Sequence, residues 1–381
     1  MPPSSDPLEV FAVLVRILIV CDFLFKYGSQ QGRSLVAMGH DVAILCRSHS
    51  LEFGGSTAER EEWLSGLTGD GVSLFVVPGR VRSASAAPVM WRLRRDIGAW
   101  SPQIVHVHEN HDPRLLALTS GYLTVLTVHD PLGHPGAPEL TRAENWVFRR
   151  WFRRARRFVV HGRALVEELA PIVGGEERIV VIPHGTTPRA RPLPAPNRPT
   201  VLLFGRLEEY KGVEVLAAAM HRVWERRQDV RLIVAGEGPA ARLVPADRRV
   251  TLMARYIPES EVEPLLAEAS LVALPYTQAS QSGVGLLAIA AGVPVVVSDL
   301  GSLPELACDP SYIAAAGRPD VLAEVILRHL DDGEQERAAV LRHARCRFSW
   351  ELAAERTTAL YRELVGAVRP SGAPHRSSSS T

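Results

Sequence analysis

The chain has 381 residues, enough for two α/β domains, because an ordinary globular domain has about 100–200 residues. Its 46% hydrophobic and 22% charged residues exclude a disordered or fibrous chain. The net charge of +1 provides no overall field that would attract nucleic acid, so we predict no nucleic-acid partner. The four cysteines are widely spaced, which favours buried thiols in a reducing, cytoplasmic setting over disulfides or a metal site.

The first half of the chain alternates short apolar runs with segments of helical period, which is typical of parallel sheets covered on both faces. Residues 1–14 are predicted to be a disordered leader. The following apolar run, 15–20, is much shorter than the roughly 20 residues that span a bilayer, so it predicts a buried strand. A helix over 28–38 comes next, and further strands are predicted at 41–45, 73–77, 104–107, 123–128, 158–161 and 179–182.

The stretch around 187–198 is rich in proline and arginine and predicts a semi-rigid linker. It separates an N-terminal domain, 15–186, from a C-terminal domain, 199–346. The second domain repeats the alternation, with strands predicted at 200–204, 230–235, near 251, at 271–274 and 293–297, and helices at 213–227, 259–269 and 283–291. Together the two series predict two doubly wound, Rossmann-like domains facing a cleft, where ligands bind at the carboxyl ends of the strands.

Two cations follow the first strand of the second domain. Gly205 permits a tight turn after that strand, and it leaves Arg206 and Lys211 on a loop close to a helix N-terminus. Because a helix N-terminus itself attracts anions, this arrangement favours a diphosphate ligand. The alternative is that both residues are solvated loop charges.

A second loop, 276–285, lies between a buried strand and an apolar helix. Its small residues Ser280, Ser282, Gly283 and Gly285 permit close approach of backbone N–H groups to a phosphate. The alternative is that Ser280 or Ser282 simply caps the helix.

Taken in order, several short motifs resemble family 4 retaining glycosyltransferases. The resemblance covers residues 15–364 and is weaker in the N-terminal half, where it rests on Gly39-His40-Asp41-Val42, Ile104-Val105-His106-Val107-His108, Thr127-Val128-His129-Asp130 and Ile182-Pro183-His184-Gly185. The C-terminal half carries Phe204-Gly205-Arg206, Tyr210-Lys211-Gly212, Ala235-Gly236-Glu237-Gly238-Pro239, Leu274-Pro275-Tyr276, Ala291-Gly292-Val293-Pro294-Val295-Val296 and Gly301-Ser302-Leu303-Pro304-Glu305.

The resemblance implies a GT-B fold, a nucleotide-diphosphate sugar held mainly by the C-terminal domain, and transfer with retention and without an obligatory metal or cofactor. It implies catalytic roles for Arg206, Lys211 and His129, the last beside the transferred sugar. We expect the donor to contact Gly205, Gln278, Ser280, Gln281, Ser282, Gly283, Val284, Glu237 and Tyr256. On the acceptor side we expect Lys26, Tyr27, His108, Glu109, Asp130 and His134. The C-terminal helix, 347–367, is expected to cross back to the first domain, before a disordered tail at 368–381.

One departure from the family pattern concerns two glutamates, which most members carry with seven residues between them to bind the sugar and the ribose. Here 278–288 contains no acid, and the positions fall on Gln278 or Ala279 and on Leu287. We interpret the loop as a subgroup design with Ser-Gln-Ser-Gly-Val. Its neutral hydrogen bonds would replace a stronger, charged acceptor.

Two other clusters have alternative interpretations. The segment 149–157 is basic and amphipathic, and it predicts either a weak peripheral contact with an anionic membrane or a solvated helix face with inward aromatic residues. Its cations are Arg149, Arg150, Arg153, Arg154, Arg156 and Arg157. The second cluster has the composition of a metal site, but its place after a strand favours lining an acceptor pocket or capping the next helix. It comprises His106, His108, Glu109, His111 and Asp112.

The sequence therefore predicts a glycosyltransferase that acts between a nucleotide sugar and an acceptor hydroxyl on a glycan, a lipid or a small molecule. Two alternatives stay open: a non-catalytic GT-B protein that binds a sugar nucleotide, suggested by the missing glutamates, and a nucleotide-sugar epimerase.

Overall fold

The computed structural model describes residues 14–22, 24–48, 57–78, 87–131 and 140–368. By its contacts the chain divides into a first unit, Met1–Leu126, Ala143–Arg156 and Ala354–Thr381, and a second unit, Thr127–Arg142 and Arg157–Ala353. Among the described residues, no helix combines the length and the apolar character needed to cross a bilayer. His134, the leader up to residue 13 and the tail from 369 lie outside the described residues.

The N-terminal half forms a sheet of seven parallel strands in the order β3-β2-β1-β4-β5-β6-β7. Its two central strands are rich in Ile, Leu and Val and are buried except at the first residue of one of them, as expected for a parallel sheet with both faces covered. The strands are β1 (Arg16–Val20), β2 (Asp41–Arg47), β3 (Ser73–Val77), β4 (Ile104–His108), β5 (Thr124–Thr127), β6 (Ala155–Val160) and β7 (Ile179–Val181). The helices are α1 (Phe25–Ala37), α2 (Thr57–Gly69), α3 (Ala87–Trp100), α4 (Pro113–Leu118), α5 (Arg142–Arg154) and α6 (Ala164–Val173).

The C-terminal half forms a second sheet of six parallel strands in the order β10-β9-β8-β11-β12-β13. The strands are β8 (Thr200–Phe204), β9 (Arg231–Ala235), β10 (Val250–Met253), β11 (Leu271–Leu274), β12 (Val295–Ser298) and β13 (Ile313–Ala314). The helices are α7 (Val213–Arg226), α8 (Glu259–Ala267), α9 (Gly283–Ala290), α10 (Pro319–His329), α11 (Glu334–Phe348) and α12 (Trp350–Val368). The predicted class, two doubly wound parallel α/β sheets, is confirmed.

Alternate side chains of the C-terminal strands pack into two separate hydrophobic cores, one on each face of the sheet. One core contains Ile233, Leu274 and Ile289, the last from α9. The other contains Val201 from β8 and Val223 from α7. Because both faces are packed, the sheet is held rigidly and its strand ends are fixed points from which loops project.

The boundaries of several predicted elements were wrong. Helix α1 begins at Phe25, three residues before its predicted start at 28. The basic segment 149–157 is not one amphipathic element, because α5 ends at Arg154 and β6 begins at Ala155. The apolar residues at the end of β6 cause this change, since Phe158 pairs with Ile179 of β7 and draws the chain into the sheet.

Residues of the predicted linker make ordered contacts within the second unit. Leu193 is buried and its N–H donates to the carbonyl of Ala291 at 2.8 Å, just beyond α9. Arg189 N–H donates to Ala290 O at 2.9 Å, and the buried guanidinium of Arg337 donates to Leu193 O at 3.3 Å. This segment is therefore attached to the C-terminal core along part of its length.

From Ala354 onward, α12 belongs to the first unit. Its Thr358 hydroxyl lies 2.9 Å from His40 Nε2, and its buried Tyr361 hydroxyl contacts His106 Nδ1. Both pairs are buried, so the helix is fixed to the first unit by polar contacts in addition to apolar packing.

Candidate active site

The loop after β8 carries the first predicted cation. Strand β8 ends at Phe204, and the chain turns at Gly205, whose N–H donates to Ala235 O at the end of β9. Gly236 has φ +144°, and a Cβ there would lie 1.8 Å from Gly205 O, so only glycine permits these two loops to approach. Arg206 is exposed on the resulting turn, at the carboxyl end of the sheet.

Lys211 closes the short 3-10 turn Glu209–Lys211 that precedes α7. Its Nζ donates a hydrogen bond of 2.8 Å to the Tyr276 hydroxyl and lies 4.0 Å from the centre of that ring. Burial of the ammonium, together with the nearby charge of Arg206, lowers the pKa of Lys211 from 10.5 to about 8. The protein thus holds this cation where its charge is poorly solvated, which favours an anionic ligand.

Tyr276 joins the two loops that the sequence indicated separately. It is 1% exposed, and its hydroxyl lies 3.1 Å from Ser282 Oγ as well as 2.8 Å from Lys211 Nζ. Ser282 in turn caps α9, since its Oγ accepts from Gly285 N–H at 3.2 Å. A continuous polar chain therefore runs from Lys211 to the N-terminus of α9, and the capping interpretation of Ser282 is confirmed.

The middle of the 276–285 loop presents polar groups. Gln278 and Gly283 are exposed, and Gln281 is half-buried. The Ser280 hydroxyl donates to Asp130 Oδ2 at 3.4 Å, so this loop contacts the residue that follows His129. The structure therefore brings Asp130, predicted on the acceptor side, to a residue predicted to bind the donor.

Apolar groups occupy the following turn of α9. Val284 faces Gly205, since a Cβ on that glycine would lie 3.1 Å from Val284 Cγ2. Leu287, at the position where the family resemblance places a ribose-binding glutamate, is 47% exposed. Solvent is therefore available to a side chain at this position, and the chain supplies no carboxylate there.

His129 follows β5 and is partly buried. Its Nδ1 lies 3.2 Å from Nε2 of His161, which follows β6, and the two ring centres are 4.7 Å apart. His161 is 1% exposed, and its Nδ1–H donates to Ile182 O at 2.9 Å. Burial lowers the pKa of His161 from 6.5 to about 4. The predicted site residue is thus attached to a second, neutral histidine.

Two other predicted donor residues lie apart from the Lys211 and Tyr276 contacts. Glu237 has an exposed side chain, and its carbonyl accepts from Leu207 N–H at 2.8 Å. Tyr256 follows β10 and is 73% exposed. In the described part of the chain, no hydrogen bond joins either side chain to Lys211, Tyr276 or Ser282.

Most of the predicted acceptor residues lie in the first unit. Lys26 Nζ is 5.7 Å from the ring of Trp63. Tyr27 is only 8% exposed, its ring meets that of His108 edge-on at 5.1 Å, and burial raises its hydroxyl pKa. His108 is fully buried and its Nε2–H donates to Gln31 Oε1 at 2.8 Å. Tyr27 and His108 are therefore covered by protein, and their contact with an acceptor stays a prediction.

His106 and His108 of the predicted cluster lie within β4 and not on the loop after it, whereas Asp112 on that loop has a local structural role. Asp112 caps α4 by accepting from Arg114 N–H at 2.8 Å, which confirms the capping interpretation for this residue. Glu109 is half-buried. Among the residues that the structure describes, no three histidine, cysteine or acidic side chains gather in a way that would hold a metal ion.

Sequence reasoning did not identify Tyr276 and His161 as site residues. Tyr276 is the second residue after β11, and His161 directly follows β6, so both occupy the loop edge of a parallel sheet. Their position at a strand end was the feature of the sequence that could have identified them as site residues. The sequence did not show that they are buried, because tyrosine and histidine are intermediate between the mostly buried and the mostly exposed residue types.

Comparison with known proteins identifies the domains. The family model described as Glycosyltransferase Family 4 matches residues 29–189, and the one described as Glycosyl transferases group 1 matches residues 198–332. The chain consists of two glycosyltransferase domains in the GT-B fold. This confirms the fold expected from the motif resemblance, whereas the subgroup with the Ser-Gln-Ser-Gly-Val loop stays a prediction.

One relative in sequence and two solved structures with the same fold illustrate the similarity. Glycogen synthase of Mycobacterium tuberculosis is 26% identical, over 90% of this chain and 91% of its own length. The structure of sucrose-phosphate synthase from Thermosynechococcus elongatus aligns with TM-score 0.64 and 18% identity, over 93% of this chain and all of that one. Anabaena HepE, solved in complex with UDP-glucose, aligns with TM-score 0.60 and 16% identity, over 93% of this chain and 98% of that one.

Proposed function

We propose that this glycosyltransferase moves a sugar, with retention at the anomeric carbon, from a nucleotide-diphosphate sugar to an acceptor hydroxyl. The observation that carries the proposal is the hydrogen-bonded chain from Lys211 through Tyr276 to Ser282 at the N-terminus of α9. It sets a poorly solvated cation and a helix N-terminus at one edge of the sheet, beside a loop that exposes Arg206.

The proposed reaction depends on stabilising the negative charge of the departing nucleoside diphosphate. Departure of the nucleoside diphosphate builds negative charge on its phosphates, and preorganised cations stabilise that charge most strongly where water is scarce. Arg206 offers a fork of donors that matches phosphate oxygens, and Lys211 offers a point charge. We propose that these two residues stabilise the charge on the leaving group, without an obligatory metal and without a protein nucleophile.

Recognition of the sugar would depend on neutral groups. Gln278 and Gln281 are accessible in the loop before α9, and the Ser280 hydroxyl contacts Asp130. Since neutral hydrogen bonds are weaker than those to a carboxylate, we propose that donor binding depends chiefly on the diphosphate. The UDP-glucose complex of Anabaena HepE supports a sugar nucleotide as donor.

A second candidate is a non-catalytic protein that binds a sugar nucleotide. The observation that favours it is the exposed Leu287, which leaves the ribose position without a carboxylate.

A screen of UDP-, GDP-, ADP- and TDP-sugars by calorimetry identifies the donor, because a sugar nucleotide that binds stabilises the fold against thermal unfolding. Product formation separates the candidates: donor binding with neither transfer nor hydrolysis supports the non-catalytic protein, and product without acceptor supports an epimerase.

The catalytic proposal is tested with Arg206→Gln and Lys211→Met. Loss of one such electrostatic contact lowers kcat by about 10²–10³-fold. Arg248→Gln, which removes one exposed cation away from the Lys211 contacts, serves as the matched control and should retain activity. Full activity in both site variants, with unchanged thermal unfolding, contradicts the proposed roles.

We also propose a weak contact between the cytoplasmic enzyme and an anionic membrane through α5. Trp146 on this helix is 51% exposed, and the Arg150 guanidinium lies 4.9 Å from its ring centre. Arg149 and Arg153 are exposed on the same helix, whereas Trp151 is buried. An exposed tryptophan among arginines is the composition of a helix that rests in a lipid interface.

A further inference from the structure

A glutamate from the loop after β12 caps helix α6. Glu305 Oε1 accepts from the N–H of Arg163 at 2.8 Å, although 142 positions separate the two residues. Arg163 is the N-cap of α6, and its own side chain has no acceptor atom. A capping box would bind this N–H with a glutamate three residues later, but Val166 stands there. A distant carboxylate therefore satisfies the helix end, where the helix dipole favours negative charge.

The two segments also approach each other closely in their backbones, and both belong to the second unit. A Cβ on Gly162 would lie 1.8 Å from Ser302 Oγ and 2.4 Å from Ser302 Cβ, so a side chain there would force the segments apart. On the other side, the carbonyl of Glu305 accepts from His343 Nε2–H of α11 at 2.9 Å. The loop after β12 is thus held between α6 and α11.

The same loop supports the 276–285 loop, which is predicted to bind the donor. Ser302 N–H donates to Ser280 O at 3.1 Å. Gly301 has φ +53°, and a Cβ there would lie 2.0 Å from Ala279 O, so the two backbones are in direct contact. The position of the 276–285 backbone therefore depends on the loop that Glu305 attaches to α6.

We propose that Glu305 is a positioning residue for the donor: its hydrogen bond to α6 fixes the loop after β12, which in turn holds the 276–285 loop ready for the sugar nucleotide. The role in donor binding rests on the proposed function. Gln278 and Gln281 of this loop offer only neutral hydrogen bonds, which are weaker than those of a carboxylate. Such a loop gains from being held in place beforehand, because ordering it on binding would weaken the affinity.

Three variants isolate this hydrogen bond. Glu305→Ala removes the acceptor of the Arg163 N–H, whereas Glu305→Gln keeps an oxygen acceptor without the charge. Asp309→Ala is the matched control. Asp309 Oδ1 accepts from Ser311 N–H at 2.8 Å at the start of the short turn Pro310–Tyr312, so this variant also removes a carboxylate that caps a turn in the second unit.

The first measurement is amide hydrogen exchange of the 381-residue chain without ligand. Glu305→Ala should exchange on the order of tenfold faster than wild type in peptides covering 276–285 and 299–306, because a hydrogen bond to a charged group is lost. Glu305→Gln should stay within about threefold of wild type, and Asp309→Ala should match wild type over 276–285. Unchanged exchange over 276–285 in Glu305→Ala, or equal acceleration by Asp309→Ala, overturns the proposal.

The second measurement is steady-state kinetics with the donor found in the screen. Glu305→Ala should raise the donor KM about tenfold and keep kcat within about threefold, because binding must now order the loop but the bound state is the same. Glu305→Gln should restore most of the loss in KM. A lower kcat with unchanged KM indicates a smaller folded fraction and overturns the positioning role. If wild type forms no product from any donor, the proposed function fails, whereas hydrogen exchange still decides whether Glu305 positions the loop.

Discussion

Lys211 Nζ donates to the hydroxyl of Tyr276 across 2.8 Å, and the same hydroxyl lies 3.1 Å from Ser282 Oγ. The loop after β8 and the cap of α9 are thereby held in one polar chain. Because Tyr276 is almost fully buried, this chain has little freedom to rearrange when a ligand arrives. Preorganisation of this kind makes electrostatic stabilisation effective, since the protein spends no energy reorienting the cation.

Tyr276→Phe should weaken donor turnover while keeping the fold. The ring still fills its buried site, but Lys211 loses its acceptor and Ser282 loses a neighbour. Hydrogen bonds to charged groups contribute about 1.5–3 kcal/mol, so we expect kcat/KM to fall by roughly 10-fold to 100-fold.

The control for this substitution is Tyr312→Phe, which removes a hydroxyl that donates to Asp332 elsewhere in the second unit. It should lower the unfolding temperature without changing donor kinetics. Identical kinetics for wild type and Tyr276→Phe would show that the hydroxyl does not position Lys211.

The affinity for nucleoside diphosphate should fall as pH rises through about 8, the lowered pKa of Lys211. Below this pH the ammonium is charged and binds the anion fully. Bound diphosphate raises the pKa again, so above pH 8 binding must take up a proton and weakens by up to about tenfold per pH unit.

Calorimetry with UDP between pH 7 and 9.5, in buffers of different ionisation enthalpy, measures this proton uptake. Lys211→Met should bind weakly at every pH and show no change in affinity near pH 8. A wild-type affinity that stays constant to pH 9.5 contradicts the role of Lys211 in holding the anion.

Residue type and order along the chain predicted Arg206 and Lys211 as site residues, but they did not predict the contact that holds Lys211 in place. Arg206 and Lys211 stand out as charges next to a buried strand, which is a local signal. The contact between Lys211 and Tyr276 joins residues 65 positions apart, and no local pattern encodes it. The family resemblance also implied that Tyr27 and His108 contact the acceptor; both side chains are buried in the fold, which no local pattern showed, and their contact with an acceptor stays a prediction.

Elements were predicted where hydrophobic periodicity was strong. Strands β1 and β8 carry the apolar runs 17–20 and 201–204, and they were located to within one residue. Helix α2 was missed, because charged and small residues break its apolar face. Helix α5 was placed wrongly at its end, since arginines continue across Arg154 into β6 and composition does not change at the boundary.

Gly212→Ala should destabilise the second unit and weaken donor binding. Gly212 has φ +70° between the Lys211 turn and α7, and a Cβ there would lie 1.9 Å from Pro275 O. Because the clash is with backbone, the 276–285 loop would have to move. We expect the free energy of unfolding to fall by about 2–4 kcal/mol.

Gly317→Ala is the matched control, since Gly317 has φ +68° and no atom lies within 4 Å of its added Cβ. Its free energy of unfolding should fall by only about 1 kcal/mol, because alanine is strained at a positive φ, and its donor affinity should be unchanged. Urea unfolding and UDP calorimetry compare the two variants. Equal destabilisation by both substitutions would show that contact with Pro275 contributes nothing.

The proposed lipid contact of α5 predicts binding to anionic vesicles that depends on salt. Arg149 and Arg150 are exposed near Trp146, and each cation near an anionic surface contributes about 1 kcal/mol. Removing both as Arg149→Gln/Arg150→Gln should therefore weaken binding roughly 30-fold. Co-sedimentation with vesicles of phosphatidylglycerol and phosphatidylcholine, compared with phosphatidylcholine alone, measures this difference.

Arg222→Gln/Arg226→Gln removes the same charge from exposed positions on α7 and controls for net charge. This variant should bind vesicles as wild type does, because α7 presents no exposed tryptophan. Trp146→Ala should lose binding that persists at high salt, since salt screens the arginines but not the apolar contact. If both double variants lose binding equally, general electrostatic attraction explains it, and α5 has no specific lipid contact.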